Sequence, residues 1–235
     1  MIITIDGPTA SGKSTVARKV AHELGFYYIA SGLLFRAIAY VLLYEQGYTL
    51  DRFAHDGVLD LDPCTIVQFF HYTYDPVHCE QIAYKGTRLN ASLKTPIIDP
   101  AASVISHNMY VRICLLSMQR GIARDHDVVV DGRDCGSVVF PHAELKFFLT
   151  AAPEIRTYRW QKDQEARGVL PSLEQARREL QIRDDRDRSR PIAPLVIPSD
   201  AVIIDNSSMQ IQEVVTTIVN AACRMQDIKA RNSNL

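Results

Sequence analysis

Short apolar runs alternate with amphipathic stretches along most of this chain. Ile2 to Ile5 is a β-branched run with the length of a buried strand. The Gly7 to Gly12 loop follows it. Lys13 to Leu24 then places Val16, Val20 and Leu24 on one helical face, and Gly25 supplies a stop. The pattern predicts a second helix from about Leu33 to Tyr44. Val128 to Val130, Leu145 to Leu149 and Ala201 to Ile204 read as further strands, and Ile211 to Met225 as a closing helix. A strand, loop and helix followed by more apolar strands predicts an α/β fold built on a parallel sheet.

Two stretches do not fit that core. From Pro63 to Arg88 the chain is rich in Tyr, His and Thr, with turn signals at Asp75-Pro76 and Lys85-Gly86, and reads as a small, mostly β insertion. From Glu154 to Arg190 it is charged and helical. Gly168 and Pro171 divide that stretch into two helices, and Pro191 and Pro194 end it. The polar tail from Lys229 to Leu235 is expected to fray.

Composition narrows the function classes. At 235 residues the chain suits one domain carrying insertions. Lys and Arg total 26 against 27 Asp and Glu, so a net charge of −1 gives no bulk attraction to nucleic acid or to an acidic membrane. Any basic site must be local. The longest apolar run near the start, Ala37 to Tyr44, has eight residues, too few to cross a bilayer. The amino terminus carries no signal-peptide pattern. Five scattered cysteines without a C-x-x-C argue against a disulfide framework or a zinc site, and for a cytoplasmic setting.

The chemistry begins at Gly7-Pro8-Thr9-Ala10-Ser11-Gly12-Lys13-Ser14-Thr15, which fits G-x-x-x-x-G-K-[ST]. Glycines let the backbone wrap closely, so that N–H groups point at phosphate oxygens. The helix starting at Lys13 adds its positive end. Lys13 would reach the β- and γ-phosphates of ATP, and the Ser14 hydroxyl would ligate Mg²⁺. Many kinds of protein share this loop, so the acceptor has to be found elsewhere.

Val128 to Asp134 is an apolar strand that ends in a polar cluster. Strand carboxyl ends face the ligand crevice in a parallel sheet, which places Asp131 like a Walker B carboxylate, a second candidate for the metal. The bland readings are a turn aspartate and, for Arg133 and Asp134, a surface pair. Six arginines and four acids lie between Arg177 and Arg190. Arg183, Asp187 and Arg190 share one helical face, with Arg186 beside them. A solvated, salt-bridged helix would look the same. Beside a triphosphate site, though, several arginines are what a transferring phosphoryl group requires, and a charged helical flap excludes water. Arg36 and Arg112 lie among apolar residues, where a charge needs a partner or a ligand.

In these segments the chain resembles the bacterial cytidylate kinases, of the nucleoside monophosphate kinase group, over almost its whole length. The resemblance is carried by Ile3 to Thr15, Gly25 to Tyr28, Ser31-Gly32, Arg36, Ala101-Ala102-Ser103 and Asp131-Gly-Arg-Asp134. It continues through Gly136 to Pro141, Lys146 to Leu149, Arg183 to Arg190 and Ile192-Ala-Pro-Leu195. It implies a P-loop kinase core with a five-stranded parallel sheet flanked by helices, an acceptor-binding insertion over residues 63–97 and a lid over residues 154–190. It implies ATP-dependent phosphorylation of CMP and dCMP in pyrimidine metabolism. Ser103, Arg112 and Asp134 would read cytosine. Arg36, Arg133 and Arg190 would hold the acceptor phosphate, with Ser31 on the same side. Arg183 and Asp187 would meet the sugar hydroxyls, and Arg186 and Arg188 the ATP phosphates. Lys13, Arg133, Arg186 and Arg188 are the expected catalytic groups.

A carboxylate at 134 suits the N4 amine of cytosine and repels the oxygen that uracil presents there. The chain departs from the family pattern at Ala30 and Phe35, where an acid and a tyrosine are common, and at Lys94, where arginine is common. Two other readings remain: a kinase for another small molecule, and a nucleotide-binding regulator without turnover. The expected partners are small molecules only, with neither nucleic acid nor membrane, and the expected state is a monomer.

Overall fold

The computed structural model describes residues 1–52 and 59–232. Five parallel strands form the centre: β1 (Ile2–Asp6), β2 (Tyr27–Ala30), β6 (Val128–Gly132), β7 (Leu145–Thr150) and β8 (Val202–Asp205), in the order β2-β6-β1-β7-β8. All five residues of β6 are buried, as are four of the five in β1. That is why both read as unbroken apolar runs: helices cover the sheet on its two faces. The register sets Asp6 beside Gly132 and Ala30 beside Asp131. The carboxyl ends of β1, β2 and β6 therefore meet at one edge of the core.

The first helix, α1 (Lys13–Leu24), ends at Gly25, whose left-handed φ of 67° closes it as expected. The second, α2 (Ser31–Tyr40), starts two residues earlier than predicted and continues as one wide turn over Val41–Glu45. Its cap position is Ala30, so Ser31 is the first helical residue and caps nothing. Strand β2 was not apparent from the sequence, because its four residues are fixed by pairing with β6 rather than by any pattern of their own.

A short helix, α3 (Cys64–Val67), leads into an antiparallel sheet of β3 (Phe70–Asp75), β4 (Cys79–Tyr84) and β5 (Thr87–Arg88). Lys85 and Gly86, both at positive φ, make its two-residue hairpin turn. The Tyr72 hydroxyl donates to the Tyr28 carbonyl and accepts from the Ala30 N–H, each at 3.0 Å, so this small sheet docks on β2. Two helices, α4 (Ile98–Ile105) and α5 (Met109–Asp125), return to the core. Beyond β7 come α6 (Pro153–Ala166) and α7 (Leu173–Ser189), divided at Gly168 as the sequence indicated. Ser172 and Gln175 form a capping box at the start of α7. The last helix, α8 (Ile211–Asn232), outruns the predicted end at Met225 and takes in the start of the tail expected to fray. The remaining tail residues, 233–235, lie outside the described set. Among the described residues, no helix is long and apolar enough to cross a membrane.

One expectation is overturned. Cys64 and Cys114 are joined by a disulfide, with Cα atoms 5.3 Å apart. The cysteines lie 50 residues apart, so no spacing rule marks them; the packing of α3 on α5 brings them together. A loop of that length is expected to make the bond worth about 2–4 kcal/mol. Dithiothreitol should lower the urea midpoint accordingly, and Cys64→Ser should give the same loss with no further response to reductant. Gly7 supplies a second test of the fold. A Cβ there would lie 2.1 Å from the Leu149 carbonyl oxygen, backbone against backbone. Gly7→Ala is expected to cost about 3 kcal/mol in urea denaturation, whereas Gly86→Ala, in open space, costs only its left-handed strain of about 1 kcal/mol.

Candidate functional site

A cavity of about 790 Å³ opens where the carboxyl ends of β1, β2 and β6 meet. It carries eight Lys or Arg side chains against six Asp or Glu, so the local basic site that the neutral net charge required is here. The loop residues Thr9, Ala10, Gly12, Lys13, Ser14 and Thr15 form one wall; Gly7, Pro8 and Ser11 lie behind them. The Lys13 amine donates to the Pro8 carbonyl at 3.0 Å. Burial, then the nearby Arg133, pushes its pKa down to about 7. Both effects disfavour the charged ammonium, the first by desolvation and the second by like-charge repulsion.

Below the loop, the Ser14 hydroxyl donates to Asp131 Oδ2 at 2.6 Å, and the Tyr28 hydroxyl donates to Asp131 Oδ1 at 2.7 Å. Burial and the Asp131 charge push the Tyr28 phenol well above its ordinary range, so it remains a donor. Arg18 lies over the Tyr28 ring and forms a two-pronged pair with Glu80 of β4, at 2.6 and 3.0 Å. Ser14 and Asp131 offer two hard oxygens at hydrogen-bond distance, a donor pair that suits a Mg²⁺ ion completing its shell with water and phosphate oxygens.

The opposite wall is an arginine–aspartate network. Asp134 accepts from Arg112 on one oxygen and from Arg190, at 2.9 Å, on the other. Arg112 also donates to the Ser106 carbonyl. Arg133 reaches Asp187 at 2.7 Å and the Thr9 hydroxyl at 3.0 Å. Burial pushes Asp187 up, but Arg133, Arg183 and Arg190 together hold the carboxyl below its usual range. Arg36 sits 3.6 Å from Asp99, which Arg167 of the helical pair also contacts at 3.0 Å. The guanidinium of Arg183 faces this group and is lowered by burial and then by Arg133.

The structure thus brings Ser31, Arg36, Ser103, Asp131, Arg133, Asp134, Arg183, Asp187 and Arg190 to one cavity. Arg112 stands just behind Asp134, lining a smaller cavity of about 170 Å³ that shares Ser31 and Asp134. The two remaining arginines are placed differently. Arg186 donates to the Ser103 hydroxyl at 3.2 Å, on the arginine–aspartate wall, and Arg188 is exposed outside the cavity. Around the phosphate loop the structure sets two arginines that sequence reasoning missed. Arg156 donates to the Thr9 carbonyl at 3.1 Å and to Asp184 at 2.5 Å, while Asp184 accepts the Thr9 N–H. Arg159 holds Asn206, whose amide donates to the Ser11 carbonyl. On a charged helix such arginines look like any solvated face. Tyr28 was given no role either, since β2, the strand that carries it, was not apparent from the sequence.

The cytidylate kinase family model matches residues 3–224. A cytidylate kinase of Ralstonia nicotianae is 36% identical over 230 residues, covering 98% of this chain and 95% of its own. One from Thermotoga petrophila is 38% identical over 220 residues, 92% of this chain and 94% of its own. Among solved structures, an uncharacterized protein from Eubacterium ventriosum superposes with a TM-score of 0.50 at 14% identity, covering 94% of this chain and 97% of that one, which is a likeness of fold alone. A match across nearly the whole length, joined to a phosphate loop facing a buried arginine–aspartate wall, places this chain in the cytidylate kinase family.

Proposed function

We propose that this chain transfers the γ-phosphoryl group of ATP to CMP and dCMP, giving CDP and dCDP. One observation carries the reading: Asp134, buried and held from both sides by Arg112 and Arg190, lies in the same cavity as Lys13 and Ser14. Both Asp134 oxygens are engaged, yet a carboxylate has lone pairs to spare, so the cytosine N4 amine still finds an acceptor. Uracil would set an oxygen there. Ser103 and Arg112 complete the base site, and the residue 63–97 segment reaches the cavity through Glu80.

The acceptor phosphate lies against Arg36, Arg133 and Arg190, its oxygen already a nucleophile, so no side chain has to act as a strong base. Asp187 and Arg183 stand at the sugar. Ser14 and Asp131 would hold Mg²⁺, which when bound offsets charge on the β- and γ-phosphates. Lys13 and Arg133 flank the transferring group. Of the arginines in the residue 154–190 lid, Arg156, which donates to the Thr9 carbonyl, is nearer the phosphate loop than Arg188, and we assign the donor phosphates to it. The chain is proposed as a cytoplasmic monomer working on small molecules. Cysteine usage no longer supports that setting, because two of the five are paired.

Purified protein given Mg-ATP and a panel of CMP, dCMP, UMP, AMP and GMP is expected to release ADP with CMP and dCMP far faster than with the others. Tight ATP binding without acceptor-dependent ADP release would exclude the reading. Asp134→Ala is expected to lower the CMP-to-UMP ratio of kcat/KM at least about tenfold, roughly 1.4 kcal/mol, with little change in KM for ATP. Equal losses with CMP and UMP would remove Asp134 from base recognition.

A further inference from the structure

Asp6 ends the central strand β1 and is 1% exposed. None of the roles assigned above uses it. A carboxylate in that position is costly, and burial pushes its pKa up to about 6. An aliphatic residue would suit the core better. What the carboxylate does is specific: Oδ1 accepts the N–H of Cys135 at 2.9 Å and Oδ2 accepts the N–H of Gly136 at 2.7 Å. These two amides follow Asp134 directly in the chain.

The far end of that segment is fixed separately, by Arg120, which donates to the Val138 and Val139 carbonyls. Asp134, two residues past the end of β6, has φ −142° and ψ 21°, and its carbonyl accepts from Val138 and Val139 at the start of a wide turn over Cys135–Val139. The turn presses on β1 so closely that a Cβ on Gly136 would come within 2.7 Å of the Thr4 hydroxyl. Gripping two successive amides defines the direction in which the preceding residue leaves the strand. One peptide away, that direction is where the Asp134 side chain points.

We propose that Asp6 is a positioning residue for acceptor-base discrimination: its grip on the Cys135 and Gly136 amides aims Asp134 at the base. This rests on the reading of Asp134 as the group that accepts the cytosine amine. Asp6 is also the residue before Gly7, so the strand end that launches the phosphate loop sets the angle of the base reader.

The test compares Asp6→Ala, Asp6→Asn and Asp134→Ala in the full chain. Four quantities are measured: kcat/KM for CMP and for UMP, KM for ATP, and melting temperature. Asp6→Ala is expected to lower the CMP-to-UMP ratio about tenfold while KM for ATP stays within about twofold. Asp6→Asn keeps the shape and one accepting oxygen, so its ratio should fall between those of the wild type and Asp6→Ala; it also serves if the alanine variant does not fold. A fall in kcat/KM by the same factor for CMP and UMP, or a rise in KM for ATP to match it, would leave Asp6 a merely structural residue and overturn the proposal. If Asp134→Ala lowers the ratio and neither Asp6 variant does, the Asp6 proposal alone fails. If Asp134→Ala leaves the ratio unchanged, the reading of Asp134 fails and the proposal falls with it.

Discussion

The parallel pairing of β1 with β6 is the contact on which the site depends. It sets Asp6 beside Gly132 and so brings two chain segments more than a hundred residues apart to the same edge of the core. One launches the phosphate loop and the other carries Asp131, Arg133 and Asp134. Because the hydrogen bonds of a parallel ladder fix the stagger along the strand, the distance between the two walls of the cavity is decided inside the sheet. The helices and the insertion close the cavity on its other sides.

Between those walls the chemistry is one of balanced charge. Buried guanidinium groups would be intolerable alone, and here each has a carboxylate: Arg112 and Arg190 share Asp134, Arg133 has Asp187, and Arg156 has Asp184. Such pairs add little net stability compared with well-packed aliphatic residues. They do hold planar donors in fixed directions, which is what recognition of phosphate and base needs. The Arg18–Glu80 pair and the two bonds of Tyr72 serve the insertion in the same manner, fastening it to α1 and β2.

How much of this the sequence disclosed follows from how local each feature is. The phosphate loop, α1 and its glycine stop, the Lys85-Gly86 hairpin and the break at Gly168 are each set by neighbours in the chain, and each was legible. Asp131 and Asp134 were legible because an apolar run ends at them. Strand β2 was not, since its hydrogen bonds come from a strand a hundred residues away. The Cys64–Cys114 bond, Tyr28 behind Asp131, and Arg156 beside Thr9 are long-range contacts with no periodic signature. Arg186 and Arg188 show the converse: Arg183 and Asp187 do share one face of the helix, and Arg190 joins them from just past its end in an extended conformation, but rotation about the helix axis carries Arg188 outward.

Asp184 accepts the Thr9 N–H and pairs with Arg156, which in turn donates to the Thr9 carbonyl. A backbone amide of the phosphate loop and its nearest buried arginine are thus already satisfied by an anion that belongs to the protein. A polyphosphate that reached that amide would exchange one anion for another. The favourable energy of each new contact would be reduced by that of the contact displaced, so affinity there would reflect a difference in fit. The same carboxylate ties α7 to the loop, so one side chain serves both.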